Sequence, residues 1–192
     1  QLLVDEIGDA MPGGARLRHA FAAPRQILVA QQPAQVRVVL DAVQAAAEQG
    51  AWCVGYLRYE AASAFDAALA VGAPDAAGGP LAWFAVFDAA LPWPIDAQDA
   101  QADALAVQWQ PGLSRNAFDA AVAQIHQSIA AGTYYQVNYT ATMQGELIAP
   151  QSAASVAAEE KAPGLALFNA LQRAQPGGYA AYIDTGVDQV LS

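Results

Sequence analysis

Over residues 134–147 the chain alternates. Tyr135, Val137, Tyr139, Ala141 and Met143 fall on one side, and Gln136, Asn138, Thr140 and Thr142 on the other. A period of two excludes a helix and calls for a sheet with one face against a core. The pattern predicts one long strand over 134–147, central in its sheet, with Tyr135, Val137 and Tyr139 buried. The polar side has two readings of equal standing: Gln136 and Asn138 line a ligand cavity, or that face is solvated.

Other segments carry shorter signals. Residues 2–5 and 15–21 read as strands. The β-branched run Arg25-Gln26-Ile27-Leu28-Val29-Ala30 reads as the hairpin partner of 15–21 across Ala22-Ala23-Pro24. Pro33 opens a helix whose apolar face is Val36, Val39, Leu40 and Val43, and Gly50 ends it. Residues 52–59 form an aromatic strand, and Gly55 inside it signals a bulge or a close backbone approach. Residues 60–70 read as an alanine-dominated helix, 81–87 as a buried strand and 105–109 as another strand. Pro111-Gly112-Leu113 is a break, which gives domains 1–110 and 111–192. Ser114 caps a helix with the stripe Phe118, Val122, Ile125 and Ile129, stopped by Gly132. Residues 163–172 form a short helix, and 180–184 with 188–191 a hairpin around Thr185-Gly186. Hairpins interspersed with helices indicate an α+β class of mixed, mainly antiparallel sheets with packed helices.

Bulk is scarce, because 48 of the 192 residues are alanine, so few large side chains must fill the core. The formal net charge of −10 repels the phosphate backbone of nucleic acid and an anionic membrane face. No run of residues is long and apolar enough for a membrane span. The opening residues lack the pattern of a secretory leader. With a single cysteine, Cys53, there is no disulfide framework. A reducing, cytoplasmic setting is the expectation.

Few residues here suit catalysis. His19 and His126 lie far apart and in no metal-ligand spacing, so both read as surface histidines. The one lysine, Lys161, follows Glu159-Glu160, a setting that keeps it protonated, whereas a nucleophilic lysine wants an apolar or cationic one. No phosphate-binding glycine loop or nucleophile elbow is present.

Four ordered stretches carry a resemblance. Gly55-Tyr56-Leu57-Arg58-Tyr59-Glu60-Ala61 and Leu81-Ala82-Trp83-Phe84-Ala85-Val86-Phe87-Asp88 come first. Ile129-Ala130-Ala131-Gly132-Thr133-Tyr134-Tyr135-Gln136-Val137-Asn138-Tyr139-Thr140 and Gln175-Pro176-Gly177-Gly178-Tyr179-Ala180-Ala181-Tyr182-Ile183-Asp184-Thr185-Gly186 follow. They resemble component I of the aminodeoxychorismate synthase (para-aminobenzoate synthase) family, departing at Thr133, usually Asp, and at Gly178, often Pro.

The resemblance implies the front portion of an anthranilate-synthase-like α/β sandwich, with 111–192 the start of the chorismate-binding domain. It implies an enzyme of folate synthesis that replaces the ring hydroxyl of chorismate by an amino group. Ammonia would come from a glutamine amidotransferase subunit, with Mg²⁺ as cofactor, and a fused aminodeoxychorismate lyase domain is a further partner. It places the attacking lysine and the Mg²⁺ ligands in motifs beyond Ser192, so no catalytic residue is expected in this chain, and the chain alone is expected to be inactive. Anthranilate synthase component I is the alternative within the scaffold. A non-catalytic ligand-binding or interaction module is the alternative outside it.

Many relatives hold tryptophan between an L-L-x-S strand and a P-Y-M segment. The matching positions here are Glu6 and Gly178, Tyr179 and Ala180, which read either as a degenerate version of that pocket or as ordinary hairpin and turn residues. Glu6 brings a charge where a hydroxyl belongs, and Ala180 lacks the thioether.

Overall fold

The structure, a computed structural model, describes residues 2–6, 17–72, 78–93, 106–148, 163–175 and 179–192. The chain divides into two compact units, Gln1–Ala100 with Gly164–Ser192, and Gln101–Pro163.

Unit 1 is built on two antiparallel sheets. One runs in the order β10 (Gln189–Leu191), β9 (Ala180–Asp184), β1 (Leu2–Glu6), β2 (Leu17–Phe21), β6 (Leu91–Pro92). The other runs β3 (Gln26–Ala30), β5 (Ala82–Phe87), β4 (Trp52–Leu57). Side-chain alternation then sorts the core into three layers. Leu2, Phe21 and Ile183 of the first sheet meet Trp83, Ala85 and Phe87 of the second. On the outer face of the second sheet, Ala30, Leu81 and Ala82 meet Val36 and Val39 of helix α1 (Pro33–Glu48). On the outer face of the first, Ala20 and Tyr182 meet Phe168 of helix α3 (Pro163–Ala174). The α+β class with mainly antiparallel sheets therefore holds, as an α/β/β/α stack within this unit.

The helix beginning at Pro33 is α1, and its first turn is closed by a capping box between Gln32 and Gln35. Gly55 sits in an unbroken register opposite Phe84, so it marks a close approach and not a bulge.

Two expectations fail in this unit. Strand β3 is not the hairpin partner of β2: it pairs with β5, and β2 pairs with β1 and β6. The link Ala22-Ala23-Pro24 holds a proline with no N–H for a ladder, and Ala23 takes φ 52°, so the chain crosses from one sheet to the other. Residues 60–70 do not form one helix. A 3₁₀ helix covers Tyr59–Ala64, and beyond it the Asp66 carboxylate accepts from Ala68 N at 2.8 Å, which competes with helical bonding.

Unit 2 contains the antiparallel pair of β7 (Ala106–Pro111) and β8 (Met143–Ile148) and, between them in the chain, the helix α2 (Arg115–Ala130). Ser114 Oγ accepts from Ala117 N at 3.2 Å, the expected cap. The long strand over 134–147 is not observed. Only Met143–Ile148 is strand, and Tyr135 is 94% exposed and Tyr139 40%. The ladder runs from Ala106↔Ile148 to Pro111↔Met143, after which Gly112 N donates to Thr142 O and the partner chain turns away into α2. Among the described residues no strand pairs with 134–142.

Burial has a consequence at high pH. Tyr182 is packed beneath α3, and its phenol, aimed at the Asp184 carboxylate 3.5 Å away, is pushed up to about 12 by desolvation first and by that carboxylate second. The folded-state value lies above the unfolded one of about 10, so the contribution to stability is intact below pH ~10 and is lost as the pH rises toward 12. Tyr182→Phe is expected to flatten the fall of the urea midpoint over pH 10–12. An unchanged slope would refute the assignment.

Candidate functional site

The sequence pattern directs attention first to the run that follows α2. Gly132, at φ 74°, reverses the chain there: Gly132 N donates to Ile129 O at 3.0 Å and Thr133 N to Ser128 O at 2.9 Å. Ile129, Gly132, Thr133, Tyr134, Tyr135 and Gln136 then line an open depression of about 600 Å³. Gln136 is thus at a concave surface, while Asn138 is exposed and not among its lining residues. Phenols and a carboxamide can orient a polar ligand by hydrogen bonds. Beside the run, Tyr139 packs on Phe118 of α2 with ring centroids 5.7 Å apart.

The second candidate lies in unit 1. Antiparallel pairing of β1 with β9 sets Asp5 opposite Ala180, which brings Glu6, at the end of β1, beside the start of β9. Tyr179 and Ala180 line a small cleft of about 160 Å³ with Phe168, Leu171 and Ser192. Gly178 lies outside the described residues, as does Lys161. Tyr179 is 70% exposed.

The remaining candidates separate. His19 is half-buried rather than a surface residue, edge-on to Trp52 at 5.1 Å and to Phe21 at 6.3 Å, and serves packing. His126 is exposed on α2. Cys53 donates to Val43 O at 3.6 Å, and burial pushes its thiol up, so it is a weak nucleophile.

One cluster was missed by sequence reasoning. Arg58 donates to the carbonyls of Gly78 and Gly79 and to Glu60 Oε1 at 3.0 Å, fixing the segment before β5. Tyr56 stands beside it. Burial raises its phenol, Asp188 raises it further, and Arg58 opposes both. The signal was present, since Tyr56, Arg58 and Glu60 alternate along one motif. Their partners at 78–79 and 188 are distant in sequence.

Among the described residues no three His, Cys, Asp or Glu side chains come together as metal ligands. No helix among them is long and apolar enough to cross a membrane.

A family model described as chorismate binding enzyme matches residues 13–192, across both units. No curated protein and no solved structure matches the chain significantly.

Proposed function

Because the chain belongs to the chorismate binding enzyme family, a family of chorismate-utilising enzymes, we propose that it is part of an aminodeoxychorismate synthase. The reaction would join chorismate and ammonia to give 4-amino-4-deoxychorismate and water, with ammonia from a glutamine amidotransferase partner. The family match carries the substrate class. The runs at 55–61, across the end of β4 and the start of the 3₁₀ helix, and 81–88, which spans β5, favour this product over anthranilate through their resemblance to component I.

In this reading unit 1 is scaffold, and Gln136 is a positioning residue at the depression after α2. The 192 residues alone do not turn over chorismate.

The test uses the product of the full reading frame with chorismate, ammonium and Mg²⁺. Formation of 4-amino-4-deoxychorismate, read as p-aminobenzoate after addition of a lyase, supports the proposal. Anthranilate would favour the second reading, and no turnover of chorismate would overturn both. In the same protein Gln136→Ala should lower kcat/KM about tenfold, the loss of one positioned hydrogen bond of roughly 1.4 kcal/mol, while moving the melting temperature by no more than about 2 °C. A full-rate variant would remove Gln136 from the site.

Tryptophan is proposed not to regulate this protein. Glu6, Gly178 and Ala180 stand where the related pocket has serine, proline and methionine, and each change is expected to weaken binding by about tenfold or more. Micromolar binding in a calorimetric titration of the full-length protein would contradict this.

A further inference from the structure

We draw no further inference here: the strongest candidate, the apolar face that Phe118, Val122, Ile125 and Ile129 of α2 form in unit 2, carries nothing because beyond the Tyr139 ring on Phe118 nothing among the described residues shows what covers it.

Discussion

Gly55→Ala is expected to lower the thermal midpoint of unit 1 by on the order of 10 °C, a cost of about 3 kcal/mol or more. A Cβ at this position would lie 2.1 Å from the Trp83 carbonyl oxygen and 2.7 Å from Phe84 Cα. Both are backbone atoms, so no rotamer change relieves the overlap. Strand β5 cannot retreat either. It is hydrogen-bonded to β3 on one side and β4 on the other, and Trp83, Ala85 and Phe87 on one face and Ala82 and Val86 on the other are all buried. Relief therefore requires breaking the β4–β5 ladder. Gly72→Ala is the control: among the described residues nothing lies within 4 Å of its added Cβ, and its stability should stay within about 0.5 kcal/mol of the parent. Equal midpoints for the two variants by circular dichroism would show that β4 and β5 are not in close register.

Phe21→Ala should cost about 3–5 kcal/mol, read as a shift of the urea midpoint at constant slope. Phe21 is 1% exposed and closes the space between the two sheets, with ring centroids 5.1 Å from Phe87 and 5.6 Å from Trp52. The cavity left behind has walls on both sheets, and neither can collapse without disturbing its own ladder. Tyr139→Ala in the same 192-residue chain should cost less than about 1 kcal/mol, because a side chain 40% exposed loses little on truncation. The alternation around Tyr139 suggests the opposite, so the pair separates the two accounts. A larger loss from Tyr139→Ala than from Phe21→Ala would favour the long buried strand over the structure.

The contrast at 134–148 shows where reading stops. Alternation is a property of each residue against its neighbours, and of the predicted strand over 134–147 only the stretch from Met143 on lies in β8. It does not supply the second strand of a ladder, and in unit 2 the described partner ends at Pro111. The candidate site was legible to the same degree. Gln136 lies in the alternating run and lines a concavity, though not from the strand the pattern predicts, and the Arg58 clamp leaves no local pattern because its acceptors at Gly78 and Gly79 lie about twenty residues away.

Several features were determined by the residues alone. Pro33 with the stripe Val36 and Val39, Ser114 with its cap bond, Gly132 at positive φ, and the apolar run that became β5 all follow from local sterics, hydrogen-bond supply and periodicity. The α+β class followed from the order of those elements. Only the tertiary structure decided which strands pair: that β3 joins β5 and not β2, that β1 lies between β2 and β9, and that residues 134–142 have no ladder partner among the described residues. Pairing depends on contacts between residues far apart in sequence, whose loop entropy and shared core no local pattern records.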